Sequence, residues 1–313
     1  MMENKHKPIT VTPGFYQLGA PDFPVYLSMG DDGMLIEGGT GAFFTLIVNQ
    51  IEELGIAPER IKYLVLTHTH SDHIGAVPRL KKLWPHLKVV GSYGAAKAFN
   101  RLSEKKEALK EFIDSDNSIS RIQLAKGEIS KVPPELDSYN FTIDHIVEEG
   151  ERITLGREIV WKVYNTPGHS PCHITLNDEN MGTLVIGDTT GFYDPAKDAL
   201  WPNYFESLEN YCHSIQKIST LPVDRIVLSH KGVVEIGART YFEKVMKRTK
   251  AYHMEMLERI NKGENLETIA IERAKWVSSI TDIQPFEVMS SMTKLLIKRS
   301  LSASKKQNLF NLP

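Results

Sequence analysis

The chain predicts an α+β protein: a four-layer αββα sandwich carrying a helical extension at its C-terminal end. Three observations predict it. The first half alternates short apolar runs with single helices, the second half repeats the strand theme from residue 152 to 227, and after Gly237 only helical spacing remains. At 313 residues and 41% hydrophobic content, the chain can bury a sizeable core.

The elements follow in order. Residues 15–18, 25–29 and 34–37 read as strands bounded by Gly, Pro and Asp. A helix is expected over about 42–54, ending at Gly55, then a buried strand at 61–66, a helix near 77–84 and a strand at 88–91. Residues 94–125 are rich in Lys and Glu with few breakers. They read as a helical insertion that shapes a substrate mouth or, equally, as a solvated outer helix, the simplest reading of Glu104-Lys105-Lys106-Glu107. Apolar strands recur at 159–164, 184–188 and 226–228, with a helix at 206–218. From 238 to 262, Phe242, Val245, Met246, Tyr252, Met256 and Ile260 recur at helical spacing, and Gly263 suits the C′ position. Two more helices are expected near 266–276 and 285–301. Residues 1–237 thus form the sandwich, and 238–313 a helical cover over its cleft.

The chemistry concentrates in Thr67-His68-Thr69-His70-Ser71-Asp72-His73, directly after the strand at 61–66. Four metal-ligand side chains within six positions are hard to explain without a metal. On extended backbone, His68 and His70 point the same way and can share one ion. After a turn, Asp72 and His73 can reach a second. Three partners stand at other strand ends: His169 in Thr166-Pro167-Gly168-His169, Asp188 after Leu184-Val185-Ile186-Gly187, and His230 after Ile226-Val227-Leu228-Ser229.

Charge and cysteine usage narrow the partners. A formal charge of −2 supplies no global field for nucleic acid or an anionic membrane. Cys172 and Cys212 make no disulfide framework. Residues 1–13 are polar, and no apolar stretch reaches the roughly 18 residues of a membrane span. The expectation is a cytoplasmic protein with a small-molecule substrate, no nucleic-acid partner and no membrane partner. A homodimer through the insertion or the tail stays open.

The ligand run, the TPGH turn, the Gly-Asp strand end and the late His, in that order over about residues 13–233, resemble the metallo-β-lactamase superfamily. The resemblance implies that His68, His70 and His169 hold one metal, that Asp72, His73 and His230 hold a second, and that Asp188 bridges both. Asp188 stands where some true β-lactamases carry Cys, so the set looks like the glyoxalase II and thioesterase branches. A narrower similarity is to the aminobenzoylacetyl-CoA thioesterase family of quinolone signalling. It rests on Phe23-Pro24-Val25-Tyr26-Leu27, Gly38-Gly39, the insertion and Ser290-Ser291-Met292. It implies that Ser291 lines the substrate pocket. Phe192 stands where that family has an acid.

The expected activity is that of a dinuclear hydrolase. Hydroxide bridging two divalent ions attacks a thioester or ester carbonyl, with Asp72 and Asp188 as the catalytic carboxylates. A thiolate leaves without a strong acid, whereas an amine needs one, and the ligand loops show none. Zinc is the default metal, with iron and manganese as alternatives. Lactonase and phosphodiesterase activities remain open, as does a signalling protein with secondary hydrolysis. So does a mononuclear iron oxidoreductase of the sulfur dioxygenase type, using His68, His169 and Asp188. Tyr193 is a candidate oxyanion donor and His173 a candidate orienter of a ligand. Cys172 reads as a small buried residue, His213 as exposed and His253 as packed.

Overall fold

Alternation along the central strands decides the layering. In Met34-Leu35-Ile36, Met34 and Ile36 join one apolar cluster and Leu35 another; Val65 separates from Leu64 and Leu66 in the same way. Val185 and Val227 repeat the split against their neighbours Leu184, Ile186, Ile226 and Leu228. Side chains at successive strand positions face opposite sides of a sheet. Both sheets are therefore covered twice: by each other across an inner core, and by helices outside.

The computed structural model describes residues 5–303 and 308–313. Residues 1–4 of the polar N-terminus and 304–307 of the expected cover lie outside the described residues. The first sheet holds β1 (Ile9–Thr12), β2 (Phe15–Ala20), β3 (Phe23–Met29), β4 (Gly33–Ile36), β5 (Ile61–Val65), β6 (Lys88–Ser92) and β7 (His145–Val147), in that order. Its strands are antiparallel up to β4 and parallel from there on. Between them run α1 (Phe44–Glu53), α2 (Ser71–Ile74), α3 (Val77–Leu83), α4 (Tyr93–Glu104) and α5 (Lys106–Ala125).

The second sheet uses β8 (Arg152–Gly156), β9 (Ile159–Asn165), β10 (Ile174–Asp178) and β11 (Thr183–Gly187). A small hairpin, β12 (Phe192–Asp194) with β13 (Ala199–Trp201), and α6 (Leu208–Ile218) precede β14 (Arg225–Leu228) and β15 (Val233–Val234). The order is β15-β14-β11-β10-β9-β8, with β14 parallel to β11. The chain closes with α7 (Ala238–Asn261), α8 (Leu266–Ile280) and α9 (Phe286–Ser302).

Trp161, Phe15 and Tyr26 fill the inner core, and two hydrogen bonds tie the sheets through it. Trp161 Nε1 donates to Ser28 Oγ at 2.9 Å, and the Tyr26 hydroxyl donates to the Leu228 carbonyl at 2.6 Å. The second tie lies two residues before His230, so it also fixes a strand end that carries chemistry.

Two expectations need correcting. The segment 94–125 is two helices, broken at Lys105 by an extended conformation (φ −114°, ψ 110°). No Gly or Pro marks the break. Tertiary packing makes it: Phe99 of α4 and Phe112 of α5 both pack edge-on against Phe141, at 5.1 and 4.9 Å. The helix expected to end at 276 runs on to Ile280, because nothing breaks it before Thr281 turns extended.

Candidate metal centre

Every ligand candidate lies just past a strand end on one edge of the sandwich. The run 68–73 follows β5, His169 follows β9, Asp188 follows β11 and His230 follows β14. His70 Nδ1 lies 3.0 Å from His68 Nε2 and 3.0 Å from His169 Nε2. Asp72 Oδ2 lies 3.6 Å from His73 Nε2 and 3.7 Å from His230 Nε2. One oxygen, Asp188 Oδ2, stands 4.0, 3.5, 3.5 and 3.6 Å from the Nε2 atoms of His68, His73, His169 and His230. Donors about 2.1 Å from a tetrahedral ion stand roughly 3.4 Å apart. The separations, 3.0 Å in the first triad and 3.6 and 3.7 Å in the second, lie on either side of that spacing, and Asp188 borders both.

Glycine geometry makes the approach feasible. Gly168 has φ +128°, and a Cβ there would meet Tyr211 N at 2.2 Å. Gly187 has φ +54°, and a Cβ there would strike His173 Nε2 at 2.6 Å. A side chain at either position would push His169 or Asp188 out of place.

A second layer fixes the imidazoles. Carbonyl oxygens only accept, so His169 Nδ1 donates to Asn203 O (2.9 Å) and His230 Nδ1 to Asp22 O (2.7 Å). That leaves each Nε2 lone pair aimed at the centre. Glu37 does the same for the middle of the site. Its Oε1 accepts from Thr67 Oγ1 at 2.5 Å and Ser229 Oγ at 2.7 Å, and lies 3.3 Å from His73 Nδ1. Thr67 Oγ1, having donated to Glu37, is placed to accept from His68 Nδ1 at 3.0 Å. Glu37 is 1% exposed and held at φ +75°. Sequence reasoning missed it as a site residue. The signal was present, because Glu37 is a charged residue ending an apolar strand, like Asp188. His173 braces the backbone: its Nε2 accepts from Asp188 N–H at 3.0 Å, and Thr166 Oγ1 lies 2.9 Å from its Nδ1.

The electrostatics call for a cation. Burial pushes His68 and His169 well below the ordinary histidine range, and His173 down to about 4. At His73 burial acts the same way, but the carboxylates of Asp72, Glu37 and Asp188 outweigh it and hold that imidazole well above its usual value. Burial would raise Asp188, yet His230 and His73 hold it well below the carboxylate range. His73 Nε2 is buried without a hydrogen-bond partner. Converging lone pairs, two central carboxylates and an orphaned imidazole nitrogen fit divalent ions, in the sets His68-His70-His169 and Asp72-His73-His230. Glu37 forms a third candidate group with His68 and His73; its Oε1 is committed to Thr67 and Ser229, while its Oε2 is buried without a hydrogen-bond partner.

A family model described as the metallo-beta-lactamase superfamily matches residues 25–230. The chain belongs to the metallo-beta-lactamase superfamily. It is 26% identical over 211 residues to the probable metallo-hydrolase YflN of Bacillus subtilis (strain 168), covering 63% of this chain and 74% of that one. It is 27% identical over 181 residues to a hydroxyacylglutathione hydrolase of Enterobacter sp. (strain 638), covering 58% and 51%. The match to the uncharacterized protein YobT of Bacillus subtilis (strain 168) is 26% identical and spans 55% of that relative. Some relatives are thus matched over only about half their length. Among solved structures, the family protein TTHA1429 from Thermus thermophilus superposes with a TM-score of 0.66 at 20% identity, over 93% of this chain and 94% of that one. At that identity the likeness concerns the fold.

In this superfamily member a cavity of about 450 Å³ opens over the metal centre. Its floor is His70, Asp72, His169, Asp188 and His230. Its walls are largely apolar: Leu102 from α4, Phe112 from α5, Trp201 at the end of β13, Phe205 after it, and Val288 and Met292 from α9. The charge run 104–107 is exposed, while Ala98, Leu102, Ala108 and Phe112 face the cavity. The insertion thus lines the cavity with one face and meets solvent with the other.

Three expected substrate residues stand elsewhere. Ser291 is exposed, and α9 offers Val288 and Met292 to the cavity instead. The Tyr193 hydroxyl donates to Asp198 Oδ1 at 2.9 Å and accepts from Lys244 Nζ at 3.3 Å, so it is engaged away from the centre. Phe192 is buried behind a ligand, its ring 5.6 Å from that of His230. Helix phase and the hairpin turn decide these placements, and neither is visible in residue spacing. Cys172 is buried, His213 exposed and His253 buried against Phe310. No described helix is long and apolar enough to cross a membrane.

Proposed function

We propose that the chain is a dinuclear metal-dependent hydrolase of thioesters or activated esters. The observation that carries it is Asp188 Oδ2, one oxygen within 4.0 Å of four imidazole Nε2 atoms drawn from both triads. Bound there, two divalent ions, with zinc the first expectation and iron or manganese the alternatives, supply Lewis acidity and make a water nucleophilic near neutral pH.

The chain's own residues do the rest. The Nδ1 bonds of His169 and His230 hold those rings in one tautomer, so their lone pairs need no reorganisation. Asp72 sits on the cavity floor beside His230 and is placed to take the proton of an attacking water. The apolar walls exclude bulk water and accept an apolar acyl group. Among the described cavity-lining residues outside the ligand sets, Arg101, Glu111, Gln284, Asn203 and three hydroxyls are the polar ones. Arg101 and Glu111 pair across 3.9 Å with their side chains more than 60% exposed, far from the environment of a tuned general acid. A leaving group that departs as an anion suits this site. A thiolate, with a conjugate acid of about 8.5, does so more readily than an amine. The named substrate of the hydroxyacylglutathione hydrolase relative agrees with the thioester reading.

The test is metal content per chain by elemental analysis together with free-thiol release from acyl thioesters. Two metals per chain, and thiol release lost in His70→Ala, support the reading. One iron per chain, with oxygen uptake and no thiol release, would replace it with an oxidoreductase built on His68, His169 and Asp188.

A further inference from the structure

A second concavity, about 1230 Å³, lies between α1, α3 and the segment after α5. It shares no lining residue with the metal cavity. Its walls are apolar: Phe44 and Leu46 of α1, Leu83 at the end of α3, and Ile129, Pro133 and Leu136 beyond α5. Leu83 is 47% exposed, a large aliphatic side chain left open on this face. Isolated exposed leucines mean little, but one that edges a concave apolar wall has a surface to share with a ligand.

The charges on this groove are mainly positive. Arg79 lines it although only 8% exposed. It donates to the Pro134 carbonyl at 2.7 Å, and its charge also interacts with Asp116. A guanidinium has five N–H donors in a planar fork matched to a carboxylate. Lys82 and Lys131 add exposed ammonium groups to the lining, Lys82 with Asp137 3.9 Å away and both side chains largely open to solvent, Lys131 with no acidic partner among the described residues. Among the described lining residues the carboxylate is Glu128, and it is occupied at the far end by Lys5 (2.5 Å) and His6 (2.6 Å).

We propose that this groove binds a small amphiphilic carboxylate: an apolar chain of about a dozen carbons along Phe44, Leu46, Leu83 and Ile129, its anionic head toward Arg79, Lys82 and Lys131. A buried cation at the base of an apolar groove selects a ligand that carries one anionic end and an apolar body. A fully polar anion leaves the walls unfilled, and an uncharged hydrocarbon leaves Lys131 without a counter-charge and the remaining donors of Arg79 unused.

Dodecanoate titrated into the full-length, metal-loaded protein by calorimetry tests this. Saturable binding is expected, about 15-fold tighter than decanoate, since each of the two extra buried methylenes is worth about fourfold. Dodecyltrimethylammonium should not bind. Leu83→Asp and Lys131→Glu should each weaken dodecanoate at least about 10-fold, while Met292→Trp in the metal cavity should leave it unchanged. Four results would overturn the proposal. One is no saturable binding up to about 1 mM. A second is equal binding of the cationic amphiphile. A third is sensitivity to Met292→Trp instead of Leu83→Asp, which would place the acid at the metals. The last is self-association abolished by Leu83→Asp without dodecanoate binding, which would make the occupant a second copy of this chain.

Discussion

The floor and the walls of the metal cavity are built by different rules. The floor comes from strand ends and is polar, nearly wholly buried and bonded in two layers: ligand atoms, then Glu37, Asp22 O, Asn203 O and Thr67 behind them. The walls come mainly from helices and loops and are largely apolar and partly open, joined by packing with a few bonds at their margins, such as Arg299 Nε to the Phe205 carbonyl at 2.8 Å. Strand ends are fixed by neighbours on both sides, so they hold atoms to a few tenths of an ångström. Helix faces are cheaper to vary. On the proposed function, reaction chemistry falls to the first region and substrate choice to the second.

Mutations in the two regions should therefore differ in kind. The largest effect is expected at the floor. His70→Ala removes an atom 3.0 Å from two other ligands, and thiol release should fall by at least about 1000-fold with loss of bound metal. Activity that survives with full metal content would break the comparison.

One layer back, Glu37→Gln keeps the shape but removes the charge that Thr67, Ser229 and His73 address. Metal affinity or activity should drop about 10–100-fold, with the melting temperature of the metal-free protein changed much less. An equal loss of stability would make Glu37 a structural residue only.

At the wall, Phe112→Ala should cost about 3 kcal/mol of stability by denaturant titration, because the ring is 7% exposed and packs on Phe141. KM for bulky acyl thioesters should move more than kcat. A change confined to kcat would mean the wall takes part in chemistry.

The smallest effect lies far from the cavity. Hydrogen bonds from Lys244, Arg248 and Tyr193 hold the Asp198 carboxyl well below its ordinary value. A depressed acid stabilises the fold above its unfolded pKa, and that contribution is lost as pH falls through the folded one. Asp198→Asn should lower the melting temperature slightly at pH 7. The two proteins should converge on acidification well below pH 4. A gap that persists in strong acid would refute the ion-pair account. The side chain is about half exposed, so the effect is screened and small.

Legibility followed the same division. The convergence of His68, His70, Asp72, His73, His169, Asp188 and His230 was legible because each follows an apolar strand, and strands that share a sheet share an edge. Glu37 obeyed that rule and was still missed: its partners come from β5 and β14 loops distant in sequence, and its left-handed backbone leaves no mark on composition. Ser291 and Tyr193 were misplaced because a turn of helix, or one hairpin, separates facing the cavity from facing away.

By itself the sequence determined the apolar strands and the helices between them in two successive halves, and with them the expectation of two sheets covered by helices, because runs that apolar must be buried on both faces. It also determined which His and Asp side chains stand together at the edge where the strand ends converge. Tertiary structure alone decided the break at Lys105, the residues of α9 that line the cavity, and the groove around Arg79. Those depend on packing between segments remote in the chain, where a rotation of about 100° per helical residue redirects a side chain without altering any local pattern.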